Sequence, residues 1–508
     1  MKLHCKTTVV AGPPGTGKTT YLLELLEQLF NEGVNPSKVC FSTFTKSGSE
    51  EGKIRSMEKF PKLSTKDFKW FRTLHSLCYA FSPIKSMMKT KQEREFGKSL
   101  GLWFSYANPA DGKVPITSRG DQLRHLLSLS RLTQRPLEEV FNEAELIGNI
   151  SYPELLQFEK SYYSYMEANG LVDYTKTLED FVKNKPPVPF EYMIVDEAQD
   201  LSILQWRVIE HISNYTKEII IAGDDDQSIF KFSGASPDYM INLKNDEYIV
   251  LPKSYRIPEC VHNISQSIIS GVSNRLEKEF SPRDEKGEIE VINDIASMDM
   301  NVDESWLFLS RNNLFLDYFE QELKEKGLPY RINGRDETDL LERAIRAYRG
   351  IGDNGMVTGK ELKTMITQMK VGSRIKMGMK QVINDLDDAD MIMREELYTT
   401  YGFLQKGHWS MVFNGASEED KYYYEEMEKM GYMDKDAYDI RLSTIHQSKG
   451  QEADNVVLLT DMTKRSYMGL KNDRDSELRL FYVAVTRAKK KLWLHNPITG
   501  MYFNEIQN

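Results

Sequence analysis

The sequence predicts an α/β fold built on parallel sheets, and three observations carry the prediction. The segment 7-TTVVAGPPGTGKTTYLLELLEQLF-30 runs from a β-branched apolar stretch through a glycine loop into leucines at helical spacing. A second apolar stretch, in 191-EYMIVDEAQD-200, ends in carboxylates, where α/β sheets place their chemistry. The chain has 508 residues, 40% hydrophobic and 28% charged, which suits a soluble protein with several cores.

The glycine loop comes first. Gly12, Pro13, Gly15, Thr16, Gly17, Lys18 and Thr19 fit the pattern G-x-x-x-x-G-K-[ST], and Thr20 follows. Glycines let backbone N–H groups close around phosphate oxygens, and the helix start adds its positive dipole end. Lys18 is expected on the β- and γ-phosphates of ATP, and the Thr19 hydroxyl on Mg²⁺. The loop alone suits AAA-type protein remodellers as well as helicases.

The second strand supplies the other half. Asp196 is expected to hold Mg²⁺ and Glu197 to polarise the attacking water, because phosphoryl transfer needs an oriented nucleophile and neutralised charge. The gap between Lys18 and Asp196 is wide enough for an inserted domain, which weighs against the compact AAA arrangement.

Bulk numbers exclude little else. The formal net charge is −10, which argues against wholesale nucleic-acid wrapping but leaves room for a local basic channel. Cys5, Cys40, Cys78 and Cys260 form no CxxC pair, so neither a zinc ribbon nor a disulfide framework is expected. No stretch approaches a transmembrane span. A cytoplasmic home in a bacterial or phage-infected cell is expected, with no membrane partner.

The segment DEAQD resembles the Walker B motif of superfamily 1 helicases of the UvrD/Rep/PcrA group. Further segments resemble the group's motifs in order: 43-TFTKSGSEE-51, 73-TLHSLC-78, 223-GDDDQSIFKFSGA-235, 254-SYRIP-258, 329-PYRINGR-335, 444-TIHQSKGQE-452 and 480-LFYVAVTRAKKKLWL-494. The resemblance implies two RecA-like parallel-sheet domains, each with an inserted mainly helical subdomain. The first takes 1–84 and 186–250, with 85–185 inserted; the second takes 251–350 and 441–508, with a reduced insertion at 351–440.

The resemblance also implies roles. Tyr255 would stack on the base, Arg256 and Arg487 would reach the γ-phosphate, Glu452 would bond the ribose, and Gln227 would report nucleotide state. Phe44, Phe230, Phe232 and Tyr174 would stack on single-stranded DNA, with Thr73, His75 and His446 as further contacts. The activity implied is an ATP-dependent helicase or translocase moving 3′→5′, acting on single strands and at single-strand/duplex junctions as a monomer. A translocase that strips proteins with little unwinding is the alternative, and an AAA-type remodeller the remote one.

Departures from the pattern are few. Ser233 stands where the group has arginine, Ser254 where it has asparagine, and Gln451 where it has leucine. No glutamine precedes Gly12 to read the adenine edge, so relaxed nucleotide choice is expected. In 223-GDDDQSIFKFSG-234, the acidic half is expected to face the nucleotide and Phe230 and Phe232 the single strand, so that one turn touches both ligands.

Overall fold

The computed structural model describes residues 1–508 apart from 44–45, 62, 85, 106–117, 145, 147, 334–339, 435–436 and 507–508. Five strands form its first sheet: β1 (Lys6–Ala11), β2 (Val39–Ser42), β3 (Tyr192–Val195), β4 (Glu218–Gly223) and β5 (Glu247–Val250). Their order is β2-β3-β4-β1-β5, and every pairing is parallel. The alternation of side chains explains why the strands are apolar throughout. Val9, Met193, Val195, Ile219 and Ile221 enter a core on one face, with Trp206 and Val208 of the helix Ile203–Ile212. Val10, Ile194, Ile220 and Ala222 enter the core on the other, with Leu22 and Leu26 of helix α1 (Lys18–Asn31). Both faces are covered, as a parallel sheet requires.

Sheet order then places the chemistry. β3, β4 and β1 are neighbours. Their carboxyl ends therefore deliver Asp196, Asp224 and Gly12 side by side.

Between β2 and β3 the chain builds a helical body with its own core. Helices Thr90–Ser99, Arg119–Thr133, Leu137–Glu143 and Tyr152–Ala168 bury Phe96, Leu126, Val140, Leu155 and Phe158 together. Arg131 is buried at its edge and binds Asp173 at 2.6 Å and Glu179 at 2.8 Å.

Packing divides the chain into two compact units. The first holds 1–291, 309–312 and 444–508, and the second 292–308 and 313–443. Within the first, strands Ala453–Leu459 and Ala488–His495 pair in parallel, and helix Arg474–Val485 packs on helix Glu259–Ile269. Within the second, Arg331–Ile332 pairs in parallel with Arg441–Leu442. Its other described elements are mainly helical, around Leu362, Met365, Trp409, Tyr423 and Tyr424, with an antiparallel ribbon of Met356–Thr358 and Met391–Met393. Among the described residues no helix is long and apolar enough to cross a membrane.

One cluster fixes the loop after β4. Asp224, Asp225 and Asp226 are all buried, and so is Lys278. Its ammonium meets Asp224 at 2.9 Å and Asp226 at 2.8 Å, and binds Asp225 as well. Arg275 adds two bonds to Asp226, at 3.0 and 2.5 Å, and Leu276 N–H donates to Asp225 at 3.0 Å. Burial disfavours the Lys278 charge, but the three carboxylates outweigh it and raise its pKa. The carboxylates of the acidic run, expected to face the nucleotide, are engaged by Lys278, Arg275 and the Leu276 N–H. Buried carboxylates need a cation, and Lys278 supplies it from inside the fold.

Replacing Lys278 by methionine should cost about 3–5 kcal/mol, because the carboxylates lose their shared cation. The shift of the urea unfolding curve measures this, and a cost below about 1 kcal/mol would contradict the account.

Candidate functional site

The glycine loop owes its shape to close packing. Gly15 and Gly17 adopt φ of +71° and +77°, which favours glycine. A Cβ at Gly15 would overlap the Cβ of Arg256 and come within 2.9 Å of Ser254 Oγ. A Cβ at Gly12 would press on the Lys18 side chain at 2.9–3.0 Å. Thr16 closes the turn by donating to Pro13 O at 2.8 Å. Gly17 caps α1 with no side-chain acceptor for its first N–H groups. Thr19 is half-buried and Thr20 exposed at the helix start.

Lys18 and the end of β3 meet across this loop. The Lys18 ammonium lies 3.2 Å from Asp196 Oδ1 and binds Glu197 Oε1. Burial opposes its charge, but Asp196 and Glu197 raise its pKa. Burial likewise opposes the charge on Glu197, yet Lys18 and Lys449 pull its carboxyl down to about 2. The neighbouring Asp196 is raised, mainly by burial. Glu197 has a left-handed backbone at φ 56°, uncommon outside glycine and typical of functional turns. The Thr19 hydroxyl and the Asp196 carboxylate are hard oxygen donors of the kind a magnesium ion takes.

A second set of groups closes over the loop. Ser254 Oγ donates to Pro14 O at 2.7 Å and accepts from the N–H groups of Arg256 and Ile257 at 3.2 Å. Tyr255 N–H donates to Gly15 O at 2.8 Å. The Tyr255 ring is 72% exposed and comes within about 4 Å of where a Gly17 Cβ would stand, so it offers a free face beside the loop. Arg256 pairs with Glu452 at 2.5 Å. Arg487 is buried, donates to Gln227 Oε1 at 3.0 Å and to Gln451 O at 3.2 Å, and falls to about 9 through burial and the nearby Arg256 charge. Two neighbouring guanidiniums repel each other and so favour an added anion. All these residues belong to the first unit.

Lys449 ties the site to the aromatic turn. It donates to Asp200 Oδ2 at 2.5 Å and to Gln227 O at 2.6 Å, and stands 5.0 Å above the Phe230 ring. Burial raises Asp200 to about 6 even so. Phe230, expected as a stacking platform, is buried beneath this ammonium, and a base would have to displace Lys449 to reach that face. Phe232 is partly exposed and meets His446 edge-on at 5.3 Å. Ser233 closes the turn by donating to Phe230 O at 2.8 Å.

The remaining expected contacts form a separate pair. Tyr174 is 65% exposed and meets His75 edge-on at 6.0 Å. Asp173 caps the helix Tyr174–Asn184, and Thr73 caps the helix Leu74–Phe81 by accepting from Ser76 N–H at 3.3 Å. Phe44 lies outside the described residues. Gln199, Ser254, Lys278 and Lys449 were not among the expected site residues. Only Ser254 carried a signal, as a departure from the group's asparagine.

Residues 1–247 match the model of the UvrD/REP helicase N-terminal domain, and 424–496 that of the UvrD-like helicase C-terminal domain. A probable DNA helicase II homolog of Mycoplasma capricolum is 22% identical, over 98% of this chain and 83% of that protein. The ATP-dependent DNA helicase PcrA of Leuconostoc citreum is 20% identical, over 98% and 81%. DNA helicase II of Escherichia coli is 22% identical, over 96% and 81%.

Burial lowers His75 to about 4, with Asp173 opposing. Its resonance should therefore keep the neutral position from about pH 8 to about pH 5 in an NMR titration. Titration near the ordinary 6.5 would contradict the burial. The unfolded ring takes its proton first, so the His75 contribution to stability falls as pH drops from 6.5 towards 4.

Proposed function

The chain belongs to the UvrD/Rep/PcrA group of superfamily 1 helicases, and from that premise we propose that it is an ATP-dependent DNA helicase that moves 3′→5′ on single-stranded DNA. The observation that carries the nucleotide half is the meeting of Lys18, Asp196 and Glu197 beside a glycine loop packed on Arg256, with Arg487 near Arg256 and Glu197.

Each residue has a task in this reading. Backbone N–H groups of Gly15, Gly17, Lys18 and Thr19 cradle the phosphates, and Lys18 moves from the carboxylates to the β/γ oxygens. Thr19 and Asp196 would hold Mg²⁺, which neutralises charge on the transferring group. Glu197 is freed as Lys18 leaves, and orients the water. In the resting site Lys18 and Lys449 keep its carboxyl ionised, and the unprotonated form is the one that can accept that water's proton. Arg256 and Arg487 stabilise the charge on the departing phosphoryl group. Tyr255 stacks on the base, and Glu452 turns from Arg256 to the ribose.

The strand is read by rings on the same unit. Phe232 with His446, and Tyr174 with His75, offer partly exposed edges and faces for bases. Gln227 joins the two sites: its side chain accepts from Arg487, while its carbonyl accepts from Lys449 beside Phe230. Loss of the γ-phosphate would thus be felt at the aromatic turn.

Lys18→Ala should abolish DNA-stimulated ATP hydrolysis, and retained turnover would overturn the site. Glu197→Gln should bind ATP and DNA while its kcat falls by about a hundredfold or more. On 3′- and 5′-tailed duplexes offered side by side, only the 3′-tailed one should unwind. Displacement of streptavidin from a biotinylated single strand, without unwinding, would favour the stripping translocase instead.

A further inference from the structure

Gln199 has no task in the mechanism above, yet it is fully buried among that mechanism's parts. Its side chain reaches two of them. Asp224 N–H points at Gln199 Oε1, 3.0 Å away, and Gln199 Nε2 lies 2.6 Å from Glu197 Oε2. The amide can face only one way. A backbone N–H donates and never accepts, so the atom before it is the oxygen, and the nitrogen must face the carboxylate. Gln199 is therefore a donor to Glu197 and an acceptor from the loop after β4.

The surroundings are built to admit it. A Cβ at Gly223 would overlap Gln199 Oε1 and approach Ala198 N to 3.2 Å. Gly223 has no positive φ to explain it. Its bare backbone is what allows the close approach. Beyond Asp224 the bonds continue: Gln227 Nε2 donates to Asp224 Oδ2 at 2.8 Å, and Gln227 Oε1 accepts from Arg487 at 3.0 Å. A chain of hydrogen bonds thus runs from the carboxylate that orients water to the arginine that steadies the phosphoryl charge.

We infer that Gln199 is a positioning residue for hydrolysis: its amide aims the free oxygen of Glu197 and sets that aim by the position of the Asp224–Gln227 loop. When Lys18 leaves for the phosphates, Glu197 loses its strongest restraint. The Gln199 donor then remains to hold one carboxylate oxygen and leave the other for water. The role deepens the function proposed above and rests on it.

Two variants test it in the full chain, with ATP, Mg²⁺ and an oligo(dT) strand. Gln199→Glu keeps an acceptor for Asp224 N–H but puts a carboxylate oxygen where the donor faced Glu197. Gln199→Met keeps the volume and removes both bonds. In Gln199→Glu, kcat should fall about tenfold or more while KM for ATP stays within about threefold. Gln199→Met should lose kcat to a similar extent while melting higher, because it buries no charge beside Glu197. Native kcat in Gln199→Glu overturns the role, and so does a loss of kcat that simply follows melting temperature across both variants. Gly223→Ala should lower kcat in the native background and add little once Gln199 is alanine; full additivity of the two overturns the contact. Absence of hydrolysis by the native protein sinks the proposed function itself, a result distinct from any variant effect.

Discussion

The ammonium of Lys278 holds the rest of the site in place. Three consecutive buried aspartates would repel one another and lose their hydration, and no strand end could keep them without a central cation. With Lys278 among them and Arg275 on Asp226, the loop after β4 becomes rigid. Arg479 adds to this by donating to Asp225 O at 3.0 Å and Asn274 O at 2.6 Å. Everything that hangs on that loop inherits its position: Gln227, the Phe230–Phe232 turn and the approach of Gln199.

A second constraint is steric. Gly15 lies so close to Ser254 and Arg256 that a methyl group would part them. Ser254 uses one hydroxyl three times, as a donor to Pro14 O and as an acceptor from two N–H groups. The glycine loop and the segment that offers Tyr255 and Arg256 are thereby one packed piece. The short side chain of Ser254 suits the close approach of Gly15.

Much of the fold was legible because it is periodic or locally coded. β1, β3 and α1 could be read from apolar runs and leucine spacing, and the glycine loop from a pattern within eight residues. Lys278 and Gln199 were not legible for the opposite reason. Their partners lie on other segments, and nothing in EKEF or DEAQD states which way a side chain turns. Phe230 shows the same limit. The aromatic pair looked like two stacking faces, but one was already occupied by Lys449, which arrives from a motif far along the chain. The acidic run raised the right question, since buried carboxylates demand a cation, but sequence alone could not say which lysine answers.

Lys18 has one ammonium and two claims upon it. Asp196 and Glu197 hold it in the site's own charge balance. In the proposed mechanism a phosphate that captures it would have to leave those carboxylates a replacement, which would make nucleotide entry an ion exchange more than an addition. A polyphosphate arriving without a divalent cation would leave the buried Asp196 and the part-exposed Glu197 beside fresh negative charge. One arriving with its cation restores the balance at once. In the proposed mechanism the geometry would thus favour the metal complex over the bare anion, and it would do so through the lysine that the two carboxylates share.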